Sequence, residues 1–323
     1  MRQLCLGIAA GLAASVLAVG HAADAPFPDH PVKIVIGFPP GSATDVATRI
    51  IANKMGDLLG QPMVVENKPG ASTNIAAAQV ARAAPDGYTL FMAGNSNSVN
   101  PALLKNVPVD MFRDFTPVGL AATVPSILVV APSLGVTSVP DLIAAAKRTP
   151  GKIFFASSGV ATTSHLSGEL FGMSTGAKMT HVPYKGSNQV ITDLLAGSVP
   201  VMFAPAPTVL AFVKDNKLTA LATTGLARSR LLPDLPTVAE AGVKDYETRI
   251  WFGLVAPAGT PPPVVQKLSG ALDAATDSQE VRDQLAAQGI EPFKGDAKEF
   301  ARYMQQETRK WADVIKTSGI TVE

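Results

Sequence analysis

One pattern limits what this chain can become. Short, nearly continuous apolar runs rich in β-branched residues alternate with longer stretches of helical spacing. "PVKIVIGF" (31–38) is followed by "TDVATRIIANKMGDLLG" (44–60), "QPMVVEN" by "STNIAAAQVARAA", and "GYTLFMAG" reads as a further strand. Strands apolar on both faces need cover on both, and intervening helices supply it, so the pattern specifies a parallel sheet flanked by helices. "PVGLAATVPSILVVAPS" (117–133) is too long for one strand, and Pro125 interrupts it. A strand that leaves one sheet and enters another reads this way. The alternation then restarts. "IFFAS" leads to a helix at 162–174, "MTHVPY" to a helix after Ser187, and "VPVMFA" to a helix after Pro207. "LTALATTG" (218–225) is a strand able to carry the chain back, and "IWFGLVAP" (250–257) is a late strand. Helices follow. One begins after "GTPPP", where prolines suit a first turn, and one at "DAKE", where Asp296 and Glu299 have capping-box spacing. The expectation is an α/β chain of two lobes, 23–122 plus 226–323 and 123–225, joined by a two-crossing hinge with a cleft between them.

Residues 1–22 lie outside this scheme. Arg2, the apolar stretch "LCLGIAAGLAASVLAVG" and the small residues Gly20 and Ala22 have the form of a signal peptide cleaved after Ala22. Export to the periplasm follows. The one cysteine, Cys5, falls inside that segment, so the mature chain is expected to have no disulfide and no cysteine-based metal site. With only His30, His165 and His181 left after cleavage, and no H-x-x-x-H, neither a metal nor a cofactor is expected. A formal charge of +1 and 6% aromatic residues give no reason to expect a nucleic-acid partner.

The chemically loaded stretches fall at equivalent places in the two lobes. "KIVIGF" ends in "PPGSATD" before a helix, and "KIFFAS" ends in "SGVATTSH" before another. Both are glycine-containing, hydroxyl-rich turns at the carboxyl end of a strand, where open α/β sheets bind ligands. The first N–H groups of each helix lack intrahelical partners, and the helix dipole adds positive charge, which suits an anion. Gly41 and Gly159 allow close backbone approach, while Ser42, Thr44, Ser158, Thr162 and Thr163 add neutral donors. Ser42 or Thr44 is equally readable as an N-cap. His165 beside Ser158 and Ser164 also admits a secreted Ser/His hydrolase. Glu169, one turn further on, would then orient the imidazole, although adjacent helical residues do not face one another.

Several stretches carry a family resemblance: "PDGYTL", "SSGVATTSHL", "HVPYKGS", "LPDLPTVAEAG" and "WFGLVAPAGTP". In this order, over essentially the whole mature chain, they resemble the substrate-binding proteins of tripartite tricarboxylate transporters, also called the Bug family. The resemblance implies a type II periplasmic binding fold that closes on a small carboxylate and delivers it to a membrane permease of two unequal subunits. It implies no enzymatic activity, and a monomer. A role presenting the ligand to a sensor kinase stays open beside transport. The implied contacts are Pro40, Gly41, Ser42, Ala43 and Thr44 in the first lobe and Ser158, Gly159, Thr162, Thr163 and His165 in the second, with Asn74, Asn95 and Ser96 on further turns. Where the family often has Gly-Gly, this chain has Gly41-Ser42 and Ser72-Thr73, and Ala161 replaces a further glycine. Ala204 stands where an Asp usually follows the strand "VPVMF". That Asp is the natural partner of an ammonium group, so a mono- or dicarboxylate with an apolar or aromatic body is expected, and no α-amino acid. Its body would use room at Ala204 beside Phe38 and Phe203. Arg49 and Lys185 are the cations able to reach the site from outside the two turns.

Overall fold

The structure, a computed structural model, describes residues 27–184 and 187–321; the expected signal peptide and Lys185 lie outside the described residues. Two sheets organise it. β1 (Val32–Ile36), α1 (Ala43–Leu59), β2 (Met63–Asn67), α2 (Asn74–Ala81), β3 (Thr89–Gly94) and α3 (Asn95–Leu103) form the first βα alternation. β4 (Phe115–Val124) and β5 (Ser126–Val130) then carry the chain across, with only Pro125 between them. The second alternation contains α4 (Val139–Arg148), β6 (Phe154–Ser157), α5 (Thr163–Thr175), β7 (Thr180–Pro183), α6 (Ser187–Ala196), β8 (Val201–Pro205), α7 (Ala206–Lys214) and β9 (Thr219–Thr223). β10 (Ile250–Pro257), α8 (Pro262–Asp277), α9 (Gln279–Ala287), β11 (Glu291–Gly295) and α10 (Ala297–Ser318) return to the first sheet. Most helix stops and starts have local causes. Gly60 takes a left-handed C-cap at φ 74°, and Asp296 and Glu299 close the expected capping box on α10.

The sheets share one plan. The first runs β2-β1-β3-β10-β4-β11 and the second β7-β6-β8-β5-β9. In each, three parallel strands are followed by an antiparallel strand that has just crossed from the other lobe. The βα turns therefore correspond in pairs: β1–α1 with β6–α5, β2–α2 with β7–α6, and β3–α3 with β8–α7. Both faces of each sheet are covered, so Ile34 and Ile36 pack on one side of β1 and Val35 on the other, all buried.

The crossings touch. Thr224 N–H donates to the Ser126 carbonyl at 3.0 Å, and Thr248 N–H donates to the Thr224 carbonyl at 2.9 Å. The return crossing lies at Thr248–Ile250, not at residue 225. Between β9 and β10 the chain stays with the second lobe, because Val238, Val243 and Tyr246 pack into that lobe's core. α10 adds a third link: Trp311, Val314 and Ile315 pack with Val99 of α3 and Leu166 of α5.

Candidate ligand site

The carboxyl ends of β1 and β3 in one sheet and of β6 and β8 in the other face one cavity of about 300 Å³. Three helix N-termini open onto it: Ser42, Ala43 and Thr44 at α1, Asn95 and Ser96 at α3, and Thr162, Thr163 and Ser164 at α5. The first two N–H groups of each helix, on Ala43 and Thr44, Asn95 and Ser96, Thr163 and Ser164, have no intrahelical acceptor. Each N-terminus also adds about half a positive charge. Phe38, Val99, Pro205, Ile250 and Phe252 add apolar surface to the lining. Among the described residues, no Lys, Arg, Asp or Glu lines the cavity. Neutral donors and apolar side chains lining one cavity can desolvate one small anionic group and accommodate a hydrocarbon body.

The fourth comparable turn, β8–α7, offers no donor. Ala206 N–H is used by the Pro125 carbonyl at 2.8 Å, Pro207 has no N–H, and Pro205 faces the cavity.

The comparisons with known proteins agree with this geometry. The family model described as the tripartite tricarboxylate transporter family receptor matches residues 47–320. The chain belongs to that family. Protein BugT of Bordetella pertussis is 35% identical over 99% of this chain and 98% of its own length. An R. palustris protein solved with adipate is 38% identical, with TM-score 0.76, covering 91% of this chain and 99% of that one. MatC of Rhodopseudomonas palustris, solved with bound malate, is 30% identical with TM-score 0.71, over 90% of this chain and 100% of that one. The type II periplasmic fold expected from the sequence is therefore the fold of this receptor, and the receptors of its family are periplasmic. No helix among the described residues is long and apolar enough to cross a membrane.

The first turn of this receptor is braced by charge. Asp45, buried one turn into α1, accepts the Gly41 N–H at 2.9 Å through one oxygen; Arg49 and Asn67 both donate to the other at 2.9 Å. Burial pushes this carboxyl up, yet the Gly41 N–H, the Asn67 amide and Arg49 outweigh it and hold it below the usual carboxylate value. Ser42 is the N-cap: its Oγ accepts the Asp45 N–H at 3.2 Å, which leaves its own proton available. Gly41 and Pro40 do not line the cavity; the Gly41 N–H is committed to Asp45, and Pro40 has none. Arg49 is committed to Asp45 and Asn67 rather than to the cavity.

The second turn is braced by imidazole and hydroxyl groups. Buried His165 accepts the Ala161 N–H on Nδ1 at 3.0 Å, and its Nε2 is 3.6 Å from Glu169. Neither ring nitrogen faces Ser158 or Ser164, so the sequence-level Ser/His pairing does not form. Behind it, Ser157 lies 2.6 Å from His181 Nε2 and hydrogen-bonds to Gly159. Gly159 thus shapes the turn from outside the lining. Ala161 takes φ 59°, a left-handed conformation costing about 1–2 kcal/mol for a non-glycine residue, and its bond to His165 helps hold it.

Two further expected contacts are corrected. Ala204 does not reach the cavity. Successive residues of β8 alternate between helix layers, so Phe203 enters one buried core and Ala204 the other, and only Pro205 at the strand end faces the cleft. Asn74 is buried as well; its side chain accepts from Asn100, and the β2–α2 turn opens on a separate groove. β2 is an edge strand, so its carboxyl end lies to one side of the cleft. Ile250 and Phe252 were missed by sequence reasoning. β10 runs antiparallel to β3, with Phe252 opposite Gly94, so its first residues lie where its neighbours end. The alternation of "IWF" and the return crossing together held that signal.

Proposed function

We propose that this receptor works in the periplasm, capturing a small mono- or dicarboxylate with an apolar body between its lobes and delivering it to a tripartite tricarboxylate-type transporter. The observation that carries this reading is the convergence of three helix N-termini on a cavity whose described lining has no charged side chain. A carboxylate there exchanges water for fixed N–H and O–H donors. Each such bond to a charged group contributes about 1.5–3 kcal/mol, so three or four support micromolar affinity after ordering costs. Contacts are assigned to Ser42, Thr44, Ser96, Ser158 and Thr163 through hydroxyls, and to the first N–H groups of α1, α3 and α5. Phe38, Ile250 and Phe252 would pack on the body. Differential affinity for the closed arrangement would drive the hinge, and no bond is made or broken.

The relatives solved with adipate and malate support a carboxylate as ligand. An α-amino acid fits poorly: its ammonium would be buried without an acidic partner among the described lining residues. A thermal-shift screen of the purified protein against carboxylates sorted by length, aromaticity and amino substitution tests the reading. Adipate and simple monocarboxylates are expected to raise Tm by several degrees, and aspartate and glutamate to leave it unchanged. Stronger stabilisation by either amino acid than by any plain carboxylate would overturn it.

A further inference from the structure

The hydrogen bonds behind the second turn fix the protons of two imidazoles. The Ser157 hydroxyl has one proton and three close partners: the Gly159 carbonyl at 2.8 Å, the Gly159 N–H at 3.2 Å and His181 Nε2 at 2.6 Å. The carbonyl can only accept, so it takes the serine proton. Ser157 Oγ then accepts from the Gly159 N–H and from His181, which must carry its proton on Nε2. His165 follows the same count. Its Nδ1 accepts the Ala161 N–H and is bare, so its proton sits on Nε2, on the side of Glu169.

The two rings stack face to face, with centroids 3.5 Å apart and planes 8° apart. The Phe155 ring backs both, at 6.3 Å from His165 and 5.1 Å from His181. α5 can lie this close to Phe155 because Gly168 has no side chain; a Cβ there would stand 2.2 Å from that ring. The charged and titratable groups acting on His181 are His165 and Glu169 from α5; α10 contributes the neutral Ser318 hydroxyl beside Glu169. Two imidazolium rings at this separation would repel strongly, so stacking requires at least one to be neutral. Burial, then the neighbouring His165, holds His181 down at about 4.

We propose that His165 and His181 are positioning residues: a stacked pair of Nε2-protonated imidazoles that fixes residues 157–161 and so aims the Thr163 and Ser164 N–H groups into the cavity. This rests on the carboxylate-receptor reading. Neither ring lines the cavity, and each acts through the backbone it holds.

Two measurements test it. Long-range ¹⁵N–¹H spectra of histidine-labelled protein at neutral pH are expected to show both rings as Nε2–H tautomers; a proton on Nδ1 of His165 would overturn the assignment. Calorimetry with adipate as probe then separates positioning from packing. His165→Gln reaches toward Glu169 but leaves the Ala161 N–H without its acceptor, and affinity is expected to fall about tenfold or more. His165→Asn places an oxygen near the former Nδ1 and should recover most of that loss, although both variants lose the stack and melt at similarly lowered temperatures. Equal affinity in the two variants would mean that the rings only fill space, contradicting the proposal. If the wild type bound no carboxylate, the receptor reading would fail, while the tautomer result would still decide the assignment.

Discussion

The β1–α1 and β6–α5 turns occupy the same place in sheets of the same order, yet they are held by opposite chemistry. The first is tied by an ionised carboxylate, with Asp45 drawing together Gly41, Arg49 and Asn67. The second is tied by uncharged groups, Ser157, His181 and His165. An anion-seeking turn tolerates a nearby carboxylate only when that charge is already matched. Arg49 and two N–H donors do this for Asp45, whereas in the second turn the groups bound to the turn itself are neutral and the Glu169 carboxylate stands one step back, beside His165. One turn therefore depends on a single group, while the other spreads its order over several neutral bonds.

The comparison breaks most sharply at Asp45. Asp45→Ala frees the Gly41 N–H, Asn67 and Arg49 together, and urea denaturation should show a loss of about 1–3 kcal/mol, with Arg49 able to regain water. Carboxylate binding should fall with it. A smaller stability loss than that of His165→Asn would reverse the ranking of the two braces.

Acid should separate the turns next. His181 ionises at about 4 in the folded protein and near 6.5 when free, so the unfolded chain binds its proton first. Stability is then expected to fall as pH drops from about 6.5 to about 4, and to level off below. Asp45 behaves in the opposite sense. Its carboxyl lies below 3.8 when folded, so its contribution persists above that value and is lost only at lower pH. Denaturation curves collected across this range should show the upper slope shrink in His181→Asn. An unchanged slope would remove the imidazole as its source.

The smallest difference concerns the caps. Ser42→Ala removes an N-cap acceptor and should cost about 1 kcal/mol, whereas Thr162 donates its hydroxyl to the Gly159 carbonyl and caps nothing. Thr162→Ala should therefore cost measurably less by the same assay. Equal losses would mean that the second helix start depends on its N-cap residue as much as the first does.

Much of this was legible in the sequence because it depends on local pattern. Apolar strands, the stop of α1 at Gly60, the break at Pro125 and the paired hydroxyl turns all follow from residues close together in the chain. Ser72, Thr73 and Ala161, where the family resemblance led to an expectation of glycine, all have left-handed backbone, at φ 50°, 75° and 59°. The sequence showed the departure, and only the backbone shows that these residues keep the left-handed conformation. What the sequence could not supply was which face of a two-sided strand meets the cleft. Ala204 and Phe203 are both buried, and the difference between them and Pro205 is one of depth along β8. Nor could it pair His165 with His181, sixteen residues apart, because β7 must first lie beside β6 to bring them together.

The central claim is that neutral backbone donors from both lobes hold the carboxylate. Backbone amide shifts recorded while titrating the protein with adipate test it most directly. The account predicts that the N–H signals of Ala43, Thr44, Asn95, Ser96, Thr163 and Ser164 move downfield together to saturation. Saturable binding that leaves these six amides unmoved, with the changes gathered around the Arg49 guanidinium instead, would contradict it.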